Sequence, residues 1–247
     1  MCETNPYLTV MMNTKKIALL LLVIFSGIIT QAQSLTDIVN KNVAALGGPE
    51  KLKILKSQYA EGTMEMQGMS FPFKRWVLQD KAMRLEFEAM GTTNIQVLTN
   101  AGGWVQLPVM GKTNPEDMDS ATIKAMGKQL DLTGDFYRYN EKGNKLELLA
   151  PDTVNGAKLA KVKVTYTNGN ATTCFVDPVT GNVLRTSNSL EIQGQQMNLV
   201  TDISNFLKTT DGYSYGTAIL QDPVGIKINI AKLENNVPVD ESIFKKP

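Results

Sequence analysis

The chain has 247 residues, 43% of them hydrophobic, and carries 25 basic against 24 acidic side chains with no histidine. Without histidine there is no Ser-His-Asp or Cys-His nucleophile, no ordinary zinc site and not the commonest general base, so any catalysis would rest on carboxylates, Lys, Tyr or Ser. A net charge of +1 sets up no global field to attract nucleic acid or an anionic membrane surface.

The first element is an apolar block over residues 17–29, preceded by Lys15-Lys16 and followed by Thr30-Gln31-Ala32-Gln33. That order of basic, apolar and small residues is the order of a secretory signal. A membrane-spanning helix needs about 20 apolar residues, so the block is too short for a permanent anchor. Residues 1–32 are expected to be removed, with either Met1 or Met12 as the start, and no cysteine follows the block to carry a lipid. Their loss takes away Lys15, Lys16 and Glu3, which leaves 23 basic and 23 acidic residues. The expected location is the periplasm, with secretion as the alternative. Neither a linker nor an internal repeat divides what remains, so residues 33–247 are read as one domain.

Ser34-Leu35-Thr36-Asp37 has the spacing of a capping box, with Asp in place of the usual Glu. Leu35, Ile38, Val39, Asn42, Val43 and Leu46 follow at helical spacing. Gly47-Gly48 stops that helix, and Pro49 suits the first turn of a short second one carrying Leu52 and Leu55. From Ser57 the period becomes two, with Ala60, Gly62, Met64 and Met66 alternating with Glu61, Thr63, Glu65 and Gln67. Gly68 breaks the run as a hairpin would, and residues 71–79 resume it with large apolar groups on both faces. Met83, Leu85 and Phe87 then alternate with Arg84, Glu86 and Glu88, and residues 92–99 and 103–107 supply two more strands.

Asn114-Pro115-Glu116-Asp117 is expected to open a helix in which Ile123, Met126 and Leu130 form a narrow stripe. The strand pattern returns over residues 146–149, 162–166, 171–176, 183–189, 197–206, 213–220 and 226–233. Turns are expected at Asn168-Gly169 and between Asp177 and Asn182. The fold class is mainly β with helices (α+β). A sheet about ten strands wide and wet on one face curls towards a barrel. Its amphipathic helices find cover only across the concave face, where they would enclose an apolar cavity.

Eight of the nine methionines beyond residue 32 lie between Met64 and Met126. Methionine is flexible and polarizable, so this stretch reads as core filling, as an adaptable wall against an apolar ligand, or as both. Met64 and Met66 would also suit Cu(I), but sharing one strand face is equally the core pattern, and no His or Cys stands near. Gly111-Lys112-Thr113 ends like a phosphate loop, yet Gln106 stands where that motif needs glycine. Ser242-Ile243-Phe244-Lys245 has Ser-x-x-Lys spacing without the companion Ser-Asp-Asn or Lys-Thr-Gly. Arg84, Arg138 and Arg185 are candidates to contact an anionic head group, although an isolated arginine usually serves an exposed face. Cys174, in a strand-like run and alone once Cys2 is gone, reads as a small buried apolar residue. No catalytic residue, metal ligand or cofactor site is expected.

In the order of its elements the chain resembles the outer-membrane lipoprotein-sorting proteins, the LolA/LolB-like periplasmic carriers. The resemblance rests first on Ala44-Ala45-Leu46-Gly47-Gly48-Pro49-Glu50-Lys51-Leu52, on Ser57 and Gly62, and on Phe73-Lys74-Arg75-Trp76-Val77. It continues through the paired strands from Asn94 to Gln106, with a glycine turn and Trp104. It ends on Asp240, Phe244 and Pro247, similar to the family's closing Asp-x-x-x-Phe-x-x-Pro. The family's carriers have an arginine shortly after the strand corresponding to Trp76-Val77, where it helps to hold the lid. This chain reads Leu78-Gln79-Asp80 there, and the next arginine is Arg84.

The resemblance implies an unclosed antiparallel β-barrel with a helical lid over an apolar cavity, holding lipid or lipoprotein acyl chains without catalysis. The expected wall is Met64, Met66, Phe73, Met83, Leu85, Phe87, Val97 and Trp104, with Met126 and Leu130 on the lid. The partners would be the acyl chain, inner- or outer-membrane envelope proteins and a transient membrane contact, with no nucleic acid. Two other readings stand beside this one. An envelope adaptor would use the same fold to bind a protein, with its cavity plugged by side chains. An enzyme acting through carboxylates would need two facing acids in a polar cleft.

Overall fold

The computed structural model describes residues 34–192 and 195–247. The leader expected over residues 1–32 lies outside the described residues. Helix α1 (Leu35–Ala45) starts as its sequence dictates: the Ser34 hydroxyl accepts from the Asp37 amide, and the Asp37 carboxylate accepts from the Ser34 amide. Gly47 and Gly48 end it at φ of 116° and 92°, in the positive-φ region open to glycine. Pro49 then begins α2 (Pro49–Lys53).

Thirteen strands follow among the described residues, all in one antiparallel sheet. Six form a meander: β1 (Ser57–Met66), β2 (Met69–Leu78), β3 (Ala82–Ala89), β4 (Thr92–Thr99), β5 (Gly102–Leu107) and β6 (Lys112–Asp117). After helix α3 (Ser120–Met126) and an irregular stretch, β7 (Lys145–Val154), β8 (Ala157–Thr165), β9 (Ala171–Val176) and β10 (Val183–Ile192) run on. Then come β11 (Gln195–Lys208), β12 (Ser214–Asp222) and β13 (Ile226–Asn235). The two halves join where β13 pairs with β1, leaving β6 and β7 as unpaired edges. The sheet is therefore curled but unclosed. The strands expected over 146–149 and 162–166 run longer, as β7 and β8, the sheet has thirteen strands where about ten were expected, and the helix expected at Asn114 is misplaced. Residues 112–117 pair with β5, and the helix begins later, where Asp119 caps it through the Thr122 amide at 2.8 Å. Acidic residues ahead of a helix mark its neighbourhood, but the hydrogen bond to the cap fixes its first turn.

Register sorts every strand residue onto one of two faces. On the outer face Tyr59, Trp76, Arg84, Val97 and Trp104 stand in one row across β1 to β5. The chain's last residues cover this row: Val239, Ile243 and Phe244 pack on Trp76, Leu78, Ile95, Val97 and Trp104. The Trp104 indole N–H donates to the Phe244 carbonyl at 3.1 Å. The inner face carries the helices. Ile38 of α1 and Phe136 pack on Val162, Val164, Cys174 and Val176, while Leu130 and Leu132 pack on Val77, Met83 and Leu98. No helix among the described residues is long and apolar enough to cross a membrane.

Candidate functional site

The inner face is apolar across the middle of the sheet. Met64, Ile228, Ile219 and Ile203 are paired across β1, β13, β12 and β11. Beside them a cavity of about 310 Å³ opens beneath Leu46 and Phe136, floored by Ile203, Phe206, Ile219, Ile230 and Leu233. Its polar boundary includes Asn42, Gln58, Asp135 and Tyr213. The volume lies at the low end of small-molecule sites, which run from about 300 to 1,000 Å³.

One wall of this interior is a lid made of α3 and residues 127–132. Ile123, Met126, Leu130 and Leu132 lie on Val77, Met83, Leu85 and Leu98. The lid is pinned at its carboxyl-terminal end. Gln79 accepts from the Leu132 amide at 2.7 Å and donates to Asp131 at 3.2 Å, while the Asp80 amide donates to the Leu130 carbonyl at 3.0 Å. Thus Gln79, in the stretch where the resemblance leads one to look for an arginine, ties the sheet to the lid with two neutral-side-chain bonds. Asp131 also accepts from the Thr133 amide and hydroxyl and from Lys142 at 2.6 Å. Burial opposes its ionisation, but Lys142 and the Thr133 donors outweigh burial and hold its carboxyl below the usual range. On the far side Tyr213 donates to the Leu132 carbonyl at 3.2 Å.

The structure gathers eight of the ten expected wall and lid residues. Met64, Met66, Phe73, Met83, Leu85 and Phe87 share the inner face with Met126 and Leu130 above them. Val97 and Trp104 lie on the outer face, under Phe244. A strand alternates its side chains, and Val97 pairs with Arg84 rather than with Leu85. Burial separates the eight further. Met83 is completely buried beneath the lid, whereas Met66 is 38% exposed at a hairpin end. Phe73 and Phe87 line a shallow depression of about 450 Å³ next to Gly62 and Ile230. In β2, where both faces carry large apolar groups, Phe71, Phe73, Arg75 and Val77 point inward and Trp76 and Leu78 outward. None of the ten lines the 310 Å³ cavity. Its isoleucine floor was signalled by Ile226, Ile228 and Ile230 alternating with Lys227 and Asn229, but nothing local shows that this strand closes against β1.

The arginines divide unexpectedly. Arg84 is held by Glu86 and by the Ile243 carbonyl, each at 2.6 Å, and lies over the Trp104 ring. Arg185 forms a two-pronged pair with Asp202, and Arg138 pairs with Glu141 at 3.4 Å. Arg75, passed over in the sequence as an anion contact, is the one on the inner face. Cys174 is buried with its thiol pushed up, first by burial and then by Asp135. Among the described residues no group of three or more His, Cys, Asp or Glu side chains gathers as a metal site.

At one end of the sheet the hairpin turns are apolar. Met66, Met69, Met90, Val109, Met110 and Val224 account for six of the ten exposed large apolar side chains among the described residues. They sit at the β1–β2, β3–β4, β5–β6 and β12–β13 turns, which antiparallel pairing places on the same rim. The turns at the opposite end, Gln79-Asp80-Lys81 and Asn100-Ala101, are mostly polar.

No family model and no curated sequence matches the chain. Solved structures do match in fold. A domain described as an outer membrane lipoprotein-sorting protein, from Vibrio parahaemolyticus, superposes with a TM-score of 0.55 at 14% identity, covering 85% of this chain and 95% of its own. A DUF1329 family protein from Desulfovibrio piger gives 0.57 at 13% identity, covering 85% and 97%. A LolA superfamily protein from Nitrosomonas europaea gives 0.54 at 11% identity, covering 84% and 96%. At these identities the shared property is the fold, and it is the fold that the sequence resemblance implied.

Proposed function

We propose that this protein is an exported, non-catalytic carrier that holds a lipid or lipoprotein acyl chain on the inner face of its half-barrel. The observation that carries the reading is an apolar interior that is already partly open and is roofed by a lid held by apolar packing and a few hydrogen bonds at one end. Burying one acyl CH₂ is worth about 0.8 kcal/mol, so a 16-carbon chain gains about 12 kcal/mol over water. A bilayer offers nearly the same, so transfer between membrane and cavity is close to neutral and needs no chemical energy. A cavity of 310 Å³ is small for such a chain, and loading requires Leu130 and Leu132 to lift from Met83 and Leu98. The floor would be Met64, Ile219, Ile228 and Ile230, with Phe73 and Phe87 at its edge. The rim of exposed methionines is suited to transient contact with a lipid surface, because flexible thioethers adapt to irregular apolar partners. The apolar segment at residues 17–29 supports export to the periplasm.

The test is mass spectrometry of an organic extract from the exported protein, purified without detergent. Stoichiometric lipid or acyl peptide is the expected result. A clean extract, together with no uptake of an added fluorescent fatty acid, would sink the carrier and leave the protein-binding adaptor.

A further inference from the structure

Arg75 is on the inner face in the middle of β2. Its strand neighbours on that face are Phe73 and Val77, and its cross-strand partners are Ala60 and Leu85. Among the described residues none gives its guanidinium a hydrogen bond or an ion pair, while each of the other three arginines has a carboxylate. Burial draws its pKa down, and the only charged or titratable neighbour acting on it is the Tyr213 hydroxyl. Tyr213 and Gln58 lie beside it and both line the 310 Å³ cavity. A guanidinium offers five donors in a planar fork and stays charged at any working pH. Arg75 is half-buried, and no fully buried side-chain nitrogen or oxygen among the described residues lacks a hydrogen bond, so its unpaired donors lie where a ligand can reach them. An aliphatic side chain would match Ala60, Leu85 and Val77 better. A cation kept there without a carboxylate fits an anion that comes from outside the chain.

We infer that the cargo is an amphiphile with an anionic head group, a carboxylate or a phosphate, seated head-inward on Arg75 with its apolar chain in the cavity floored by Ile203, Ile219 and Ile230. This rests on the carrier reading and narrows it to one class of lipid. The guanidinium fork receives two oxygens of the head group. The Tyr213 hydroxyl, which bonds the Leu132 carbonyl at 3.2 Å, places the head group beside the lid's attachment. A seated head group therefore stands where it bears on lid closure. The same geometry favours an anionic over a neutral lipid, which offers the guanidinium no charge to pair with.

The test compares palmitate with methyl palmitate, which share one chain and differ in charge, by calorimetric titration of the exported protein stripped of bound lipid. Palmitate is expected to bind at least tenfold more tightly. Arg75→Gln is expected to erase that preference by weakening palmitate alone, with ester affinity unchanged, and Arg75→Lys to restore part of it. Equal binding of acid and ester by the unmodified protein overturns the inference while leaving the carrier standing, and this comparison requires no variant to fold. Loss of both ligands in a folded Arg75→Gln protein overturns it too, by assigning Arg75 a structural role. Binding of neither ligand by the unmodified protein overturns the carrier reading and this inference together. Displacement of palmitate by millimolar inorganic phosphate would assign Arg75 to small anions and overturn the amphiphile.

Discussion

Asp131 shows how single residues set the behaviour of the lid. Its carboxylate gathers donors from Thr133, Gln79 and Lys142, and Lys142 reaches on to the Thr133 hydroxyl and the Gly134 carbonyl. Both partners are about one-fifth exposed, so water screens the pair only in part. Asp131→Asn removes the charge but keeps the shape, and is expected to cost about 1–3 kcal/mol at neutral pH, read as a lowered midpoint of thermal unfolding. The folded pKa is depressed below the unfolded value of about 3.9. The contribution is therefore present above that value and is lost as pH falls through the folded pKa. The gap in unfolding midpoint between variant and parent should narrow below about pH 4, and a gap that stayed constant down to pH 3 would show that the charge is not its source. Little of this was legible in the sequence. Asp131, Lys142 and Gln79 are ordinary polar residues whose meeting depends on a loop that follows no period. Arg75 was harder still, because its face could be known only once β2 had both neighbours.

At the scale of elements, β1 and the chain's last turn show what holds the two sides of the sheet. Gly62 sits at a bulge where β1 shifts register against β13, and a Cβ there would lie 1.9 Å from the Asn229 carbonyl oxygen. Gly62→Ala must push the strands apart at the junction that joins the two halves of the sheet, at an expected cost of about 1–3 kcal/mol in chemical denaturation. On the outer face the 3₁₀ turn Glu241–Phe244 is capped by Asp240, which accepts from the Ser242 amide at 2.9 Å. Phe244 is 6% exposed against Trp104 and Val97. Phe244→Ala is expected to cost about 3–5 kcal/mol and to raise the exposure of Trp104, which a red shift in its fluorescence would report. An unshifted spectrum in a folded variant would mean that the tail does not cover the indole. Here the sequence was a good guide. The closing Asp, Phe and Pro were marked as a motif, and the capping box at Ser34 predicted both bonds that form. It misled at Asn114, where a strand pairing outcompeted a local helix-start signal.

The molecule as a whole is polarised. One end of the sheet carries the pinned end of the lid and polar turns, and the other carries a rim of methionines, with Met90 and Met110 exposed by 77% and 70%. Full burial of such a side chain is worth about 1.5–3 kcal/mol. The double variant Met90→Glu, Met110→Glu should therefore reduce recovery on phospholipid vesicles by at least tenfold without changing the unfolding midpoint. Unchanged recovery would remove the rim from membrane contact. The arrangement also explains the split fate of the methionine stretch: Met83 fills the core beneath the lid, while Met66, Met69, Met90 and Met110 face solvent. Core filling describes Met83, and the exposed methionines fall outside that reading.

The sequence by itself determined most of the secondary structure, the order of strands β1 to β5, the capping of α1 and the apolar character of one strand face. These depend on neighbours a few residues apart, and periods of two and 3.6 record them directly. Only the tertiary structure decided which side of β2 looks inward, that Val97 and Trp104 serve the outer face, and that the cavity floor comes from β11 to β13. It also left Arg75 as the arginine without a carboxylate. The cavity floor turns on the pairing of β13 with β1, a contact between segments more than 150 residues apart, and the two faces of the meander on which of them the lid and the closing Val239, Ile243 and Phe244 cover. Closure of that kind leaves no local period for a sequence to show.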